Sequence, residues 1–283
     1  MFGHTRYNGH GESVRLNLPR KGLFIVIDTS LLQAVAQLVR DAGDIVEDIA
    51  KKGYDTQFKG ASDPVTTADL ACDTFLRERL LTLLPGSGWL SEETRDDLSR
   101  LDMEYVWIVD PIDGTREFVE GVPQYAVSVA LAERGKAVLG VICNPALRDL
   151  FAGLVSSGAW LNGNPIRSSR ARGERLTVLG SRSEIKRGEF VPFERTMSVE
   201  AVGSIAYKLA LIGAGHADAT FSLGPKNEWD IAAGVAIVEA AGGRVTDKTG
   251  RPYVFNQRHT LVNGIVAATA EAYADVMEQL HVE

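Results

Sequence analysis

Cysteine is almost missing from this chain: 283 residues carry two, Cys72 and Cys143. Two thiols cannot build a disulfide framework, and neither stands in a Cys-x-x-Cys or Cys/His spacing suited to zinc. A reducing, cytoplasmic setting is the expectation. Long apolar runs are absent too. Leu23–Ile27 is far shorter than the roughly 20 residues of a membrane span. No small-residue cleavage site follows it, so neither an anchor nor a secretory signal is predicted. Basic charge is in deficit: 30 Lys and Arg against 37 Asp and Glu leave a net charge of −7. A nucleic-acid polymer is therefore not an expected partner. If the partner is a small anion, the protein's own negative field must be offset, and divalent cations held by carboxylates would do so.

What is there is an ordinary globular balance, 45% apolar and 24% charged, sufficient for one large core or two intimately packed halves. Residues 1–27 lack a hydrophobic period and read as a mobile extension, so His4 and His10 within it are assigned no chemistry. From Asp28 the pattern changes. Asp28, Thr29 or Ser30 caps a helix with Leu31, Ala34, Val35, Leu38, Ile45, Val46 and Ile49 on one side, ending near Gly53. Asp69–Leu84 reads as a second helix, stopped by Pro85-Gly86. Strands are predicted at Tyr105–Val109, at Tyr125–Ala132 and Ala137–Cys143 as a hairpin, near Leu150–Val155, and at Leu176–Gly180, Ala217–Phe221, 244–246 and Ile265–Ala268. Further helices are predicted at Ser204–Ile212, Trp229–Ala241 and 270–280. The polar, Arg-rich stretch Ser168–Glu174 marks the expected boundary between halves at 28–170 and 171–283. Helices and strands alternate, which predicts a layered α+β fold.

The most informative stretch is Trp107-Ile108-Val109-Asp110-Pro111-Ile112-Asp113-Gly114-Thr115. An apolar strand runs directly into two acids separated by Pro111 and Ile112. A surface turn can also hold two acids, but carboxylates that follow a buried strand are costly unless paired. Pro111 fixes the backbone so that both side chains turn toward one point, with the Ile112 carbonyl as a further oxygen donor. Oxygen-only ligation suits Mg²⁺ or Mn²⁺. A helix beginning after Gly114 would aim its free N–H groups at an anion facing those metals. Thr115 Oγ would contact that anion or orient a metal-bound water, its plainer role being a helix cap. Ser91-Glu92-Glu93 is a weaker signal, since a Glu pair is usually solvated. Asp230, at the start of a helix in Asn227-Glu228-Trp229-Asp230-Ile231-Ala232-Ala233-Gly234, would ordinarily be a cap. The Trp beside it and the small face after it point to a helix end packed tightly against something.

Together, Pro64-Val65-Thr66-Thr67-Ala68-Asp69, Ser91-Glu92-Glu93, Asp110-Pro111-Ile112-Asp113-Gly114-Thr115 and Trp229-Asp230-Ile231-Ala232-Ala233-Gly234 resemble the inositol monophosphatase superfamily. The blocks stand in family order, and the similarity extends over roughly residues 28–270. The resemblance implies a layered α-β-α-β-α sugar-phosphatase-type fold, two mixed sheets sandwiched by helices. It implies a Mg²⁺-dependent, lithium-sensitive phosphatase, with two or three ions per site and Mn²⁺ as a substitute, in which water attacks a small phosphorylated metabolite. Metal ligation is implied for Glu92, Asp110, the Ile112 carbonyl, Asp113 and Asp230. Asp69 and Thr115 would pair to orient or deprotonate the water, with Glu92 counted beside them as catalytic. Gly114 and Thr115 would contact the phosphate, and Asp230 the substrate. Lys59 corresponds to a lysine in the loop covering the metals, although a solvated loop lysine accounts for it nearly as well. A homodimer is also implied.

Substrates divide the superfamily: inositol monophosphates, 3′(2′)-phosphoadenosine 5′-phosphate and fructose 1,6-bisphosphate share one metal apparatus. Gly114-Thr115-Arg116-Glu117-Phe118 is similar to the Gly-Thr-Lys-Glu-Phe pattern of the CysQ-like 3′(2′),5′-bisphosphate nucleotidase branch, and Gly224-Pro225-Lys226-Asn227-Glu228-Trp229-Asp230 resembles its Gly-Pro-Thr-Ser-Glu-Trp-Asp. Inositol monophosphatases carry a sugar-binding glutamate shortly before the Trp-Asp pair; ungapped, that position is Leu223. Val122–Val129 looks more like the inositol type. Ser204 and Lys208, one helical turn apart, would bind a second phosphate, or else act as a cap and an exposed lysine. Whether Lys208, Arg182 and Arg187 converge is not legible. The nucleotidase is the favoured expectation, with inositol monophosphatase or a sugar bisphosphatase as alternatives. A metal-binding regulatory protein is the non-enzyme alternative, against which the complete acid set and the Asp69/Thr115 pair count.

Overall fold

The computed structural model describes residues 26–59, 64–171 and 173–281; the expectations for residues 1–25, His4 and His10 among them, lie outside the described residues. Helix α1 (Thr29–Lys52) begins where Asp28 accepts the N–H groups of Ser30 and Leu31 and ends before Gly53, whose φ is 92°. Its buried stripe is Leu32, Val35, Val39, Ala42 and Val46. Helix α2 (Thr67–Leu83) opens on a reciprocal cap: Thr66 Oγ1 accepts the Asp69 N–H, and the Asp69 carboxylate accepts the Thr66 N–H.

These two helices cover one face of a seven-stranded sheet, ordered Gly88–Ser91, Tyr105–Asp113, Ala126–Glu133, Lys136–Asn144, Asp149–Leu154, Gly158–Leu161 and Asn164–Ile166. The first pair is parallel and the rest antiparallel. The short helix α3 (Thr115–Val119) follows the second strand. A five-stranded sheet is ordered Met197–Ala201, Leu176–Gly180, Ala219–Ser222, Ile265–Ala268 and Arg244–Thr246. The remaining helices are α4 (Arg182–Lys186), α5 (Ile205–Gly213), α6 (Glu228–Ala240) and α7 (Tyr273–His281).

Helices α5 and α6 lie between the sheets. Leu209, Ile212, Ile231, Ala233 and Ile237 share one core with Val106, Ile108, Ile142 and Phe151 of the first sheet and Leu179, Val245 and Ile265 of the second. Helix α7 covers the outer face of the second sheet, with Tyr273 and Val276 against Val178, Phe221 and Val266. The layers therefore run α-β-α-β-α, as expected. The predicted helices and strands recur with shifted ends. The Tyr105 strand continues through Pro111 to Asp113, and the strands Gly88–Ser91 and Met197–Ala201 and helix α4 are additions, all too short to show a period.

Helix α6 approaches the first sheet more closely than side chains allow. A Cβ on Gly140 would stand 2.2 Å from the Ala233 carbonyl oxygen, and one on Gly234 would stand 2.4 Å from Leu209. The small face Ala232-Ala233-Gly234 is thus explained by contact on two sides. Gly140→Ala is expected to push α6 outward at a cost of about 3 kcal/mol or more. Urea unfolding should show a lower midpoint at unchanged slope; an unchanged midpoint would mean that the helix has room to shift.

Candidate active site

Residues three apart on a regular strand point to opposite faces. Asp110 pairs with Ser128 and Asp113 with Ala126, three steps against two, so Pro111-Ile112 forms a β-bulge. The extra residue resets the alternation. Trp107, Val109 and then Ile112 join the core beneath α1 and α2, leaving both acids on the side of α5 and α6. Proline suits the position because it has no N–H to withdraw from the ladder.

Both acids line a cleft of about 610 Å³ with Glu92, Gly114, Thr115, Ser204, Lys208 and Asp230. Asp113 Oδ2 accepts the Ser204 hydroxyl at 2.5 Å and the Ala206 N–H at 2.6 Å. Asp230 Oδ2 accepts the Asn227 N–H at 2.8 Å. Each acid thus has one oxygen tied down by a helix N-terminus, which also contributes partial positive charge. Asp110 Oδ1 is buried with no hydrogen-bond partner among the described residues. Glu92 and Glu93 share the Lys59 ammonium, at 3.0 and 2.5 Å, which places Lys59 over the acidic wall. Burial above all, reinforced by repulsion from neighbouring acids, pushes Asp110 well above the usual carboxylate range and Asp230 up to about 8. Burial also raises Asp113, to about 6, while its bonds from Ser204 and Ala206 restrain it. The cluster is short of positive charge, and its donors are all oxygen. Among the described residues no three acidic side chains already close on one point as a finished metal cage would.

Gly114 makes the turn into α3 with φ at 93°, and a Cβ there would meet the Gln124 carbonyl at 3.2 Å. Thr115 Oγ1 lies 2.9 Å from the Ile112 carbonyl and 3.1 Å from Asp69 Oδ1; with one proton, it donates to one of them at a time. Asp69 does not line the cleft. Its Oδ2 is saturated by the Thr66 N–H at 2.7 Å and hydroxyl at 2.6 Å, so it reaches the site through Thr115.

The lining also carries Arg182, Lys186, Lys208 and Lys226. Lys208 is only 2% exposed, which overturns its reading as an exposed lysine. No described residue hydrogen-bonds its ammonium, and burial lowers it to about 8 against the pull of Glu184 and Asp113. Ser204 caps α5, accepting the Tyr207 N–H at 2.9 Å while donating to Asp113, so its hydroxyl is committed to protein partners. Leu223 lies outside the cleft: the chain turns at Gly224-Pro225 and Lys226 enters instead, while the Leu223 carbonyl accepts Lys248 at 3.0 Å. Arg187 is outside as well, paired with Glu189 at 2.6 Å.

Several supports were hidden in the sequence. Asp73 accepts the hydroxyls of Ser91 and Thr94, steadying the loop that carries Glu92. Glu228, fully buried, accepts the N–H groups of Asn256 and Gln257 at 2.7 and 2.8 Å. The same two residues receive the Arg100 guanidinium, at 2.6 and 3.0 Å. The chain of bonds ties the loop after the Gly88–Ser91 strand to the helix carrying Asp230. Glu228 sits inside a motif, but its partners lie far along the chain, and an arginine's burial has no sequence signal.

An acid-lined cleft with helix N-termini at its wall, set in α-β-α-β-α layers, is the arrangement of a phosphatase. The sequence model described as the Inositol monophosphatase family matches residues 26–281, and the chain belongs to that family. It is 34% identical over 242 residues to the inositol-1-monophosphatase of Mesorhizobium japonicum, covering 82% of this chain and 88% of the relative. It is 32% identical over 240 residues to the 3′(2′),5′-bisphosphate nucleotidase CysQ of Escherichia coli, covering 82% and 97%. Among solved structures, the extragenic suppressor protein suhB of Bartonella henselae superposes with a TM-score of 0.78 at 30% identity, covering 89% of this chain and 99% of that one. No described helix is long and apolar enough to cross a membrane.

The raised acids dictate a pH dependence. Asp230 goes from 3.8 to about 8 on folding, so between those values the folded state holds the extra proton and stability falls as pH rises. In chelator, the melting temperature should be lower at pH 8 than at pH 6, and Mg²⁺ should raise it more at pH 8. A rise that is equal at both pH values would count against the cluster as the cation site. Separately, Arg100→Met should cost about 3 kcal/mol by removing the ion pair with Asp96 and leaving the Asn256 Oδ1 and Gln257 carbonyl acceptors unpaired, lowering the melting temperature by about 2–4 °C per kcal/mol.

Proposed function

We propose that this phosphatase is a Mg²⁺-dependent phosphomonoesterase whose preferred substrate is a 3′(2′),5′-bisphosphate nucleotide. Glu92, Asp110, the Ile112 carbonyl, Asp113 and Asp230 are the groups that would hold Mg²⁺, with Mn²⁺ as a substitute. The fit rests on the orphaned Asp110 oxygen and on carboxylates that burial and mutual repulsion leave in need of a cation. A metal bound there supplies charge to offset the phosphate and acidifies water.

The chain's own residues do the rest. The start of α3, at Gly114 and Thr115, orients the phosphate through its N–H groups. Thr115 Oγ1 accepts a proton from the attacking water and passes its own to Asp69 Oδ1, 3.1 Å away. Burial lifts Asp69 above the ordinary carboxylate value, making it the better base, while bonds from Thr66 and Thr115 keep it oriented. The observation that supports a second phosphate is Lys208, a buried ammonium facing the cleft without a hydrogen-bond partner among the described residues. A charged group in that state wants an anion.

Mg²⁺-dependent phosphate release should be measured side by side from 3′-phosphoadenosine 5′-phosphate, inositol 1-phosphate and fructose 1,6-bisphosphate. The first is expected to be preferred; preference for inositol 1-phosphate would replace this reading with the inositol monophosphatase one. Asp69→Asn and Thr115→Val should each lower kcat by about 10²–10⁴ with little change in KM. A loss below tenfold would remove the relay.

A further inference from the structure

Behind the lysine wall sits a carboxylate that the mechanism leaves unused. Glu184, on α4, is 3% exposed. Ser181 Oγ donates to its Oε2 at 2.7 Å, Ser222 Oγ donates to its Oε1 at 2.5 Å, and Lys226 Nζ lies 3.4 Å from Oε1. Ser181 Oγ in turn accepts the Glu184 N–H at 3.1 Å. The carboxylate therefore joins α4, the end of the Ala219–Ser222 strand and the Lys226–Asn227 segment, while Lys208 on α5 is near enough to feel its charge.

A negative group behind an anion site is at first sight misplaced, because it repels the substrate. Its bonds explain it. Lys208 and Lys226 face one cleft and repel each other, and two ammoniums brought together from water need a counter-charge between them. The ionised Glu184 holds Lys226 at 3.4 Å while that lysine still lines the cleft. Arg182 is engaged elsewhere, 2.9 Å from Glu120 and 3.7 Å from Glu117. Beside Lys226, Lys208 faces the cleft from a buried position. Three hydroxyl and ammonium contacts hold Glu184 on one heading, so the wall is built in advance of any ligand.

We propose that Glu184 is a specificity-determining positioning residue, a buried counter-charge that keeps Lys226 and Lys208 together at the cleft so that the site selects substrates carrying a second anionic group away from the scissile phosphate. The inference rests on the bisphosphate reading above. It acts through the lysines and touches neither the reacting phosphate nor the water.

Glu184→Gln keeps the shape but removes the charge, its amide oxygen accepting from one serine while its NH2 can only donate to the other; Glu184→Asp keeps the charge on a shorter arm. The measurements are KM and kcat for 3′-phosphoadenosine 5′-phosphate, and the competitive Ki of adenosine 5′-phosphate against whichever substrate the wild-type enzyme turns over best. The Gln variant should raise that KM and that Ki by about tenfold or more while kcat changes far less, and the Asp variant should recover part of the affinity. Lys226→Met, at a partly exposed position, should raise the same Ki and serves as the second variant if Glu184→Gln fails to fold. A fall in kcat at constant KM, or an unchanged Ki in both variants, would overturn the proposal. If the wild-type enzyme releases nothing from the bisphosphate, the substrate reading fails by itself. The Ki comparison then still decides Glu184, and absence of inhibition by adenosine 5′-phosphate counts against it.

Discussion

A regular strand carrying Asp110 and Asp113 would point one acid at the cleft and the other into the apolar layer beneath α1 and α2. The bulge at Pro111-Ile112 removes that conflict. It turns Asp113 onto the N-terminus of α5, where Ser204 and Ala206 hold one of its oxygens, and leaves Asp110 beside it with an oxygen that no described residue satisfies. Gly114 then reverses the chain so that α3 starts beside the acids rather than beyond them. Much of the rest of the site is arranged around that one irregularity. Asp69 reaches it through Thr115, and Asp230 meets it from α6.

For Asp230 to meet it, α6 has to lie almost on the sheet. Glycine at 140 and 234 permits the approach, since a Cβ at either would collide with Ala233 or Leu209. Close packing of this kind leaves little freedom for the helix to slide. The bonds running from Arg100 through Asn256 and Gln257 to Glu228 hold its first turn from the other side. The position of one carboxylate is thus set by packing along the helix and by a polar network at its start.

Much of this was legible in the chain because it is local. The capping signal at Asp28, the apolar runs of the hairpin strands, the Asp110–Thr115 string and the small face after Trp229 all act within a few residues of themselves. What escaped was non-local. Nothing in a sequence says that Lys208 is buried, that Ser204 spends its hydroxyl on Asp113, or that Leu223 gives way to Lys226 at the cleft. Each follows from which elements the layers bring together. Glu184 is the clearest case: on α4, a helix too short to show a period, it gains its meaning from Ser222 and Lys226, about forty residues on. The bulge was only half visible, since Pro111 announced a distortion without showing that it would reset the strand's alternation.

The two walls of the cleft pose one electrostatic problem with opposite signs. On one side, buried carboxylates raise each other's proton affinity and lack a cation. On the other, burial and the neighbouring Lys226 lower the buried Lys208, while Glu184 bonds Lys226 and attracts Lys208. The asymmetry is informative, because Lys226 has Glu184 as a bonded counter-charge, whereas among the described residues no cation is bonded to Asp110, Asp113 or Asp230. On the proposed reading, a site completed by its protein on one side and left incomplete on the other takes up cations on the incomplete side and an anion between the two. This also accounts for a net charge of −7 in a protein that handles phosphate. The buried acids Asp110, Asp113 and Asp230 are part of that negative charge, and on the proposed reading cations held there would offset it.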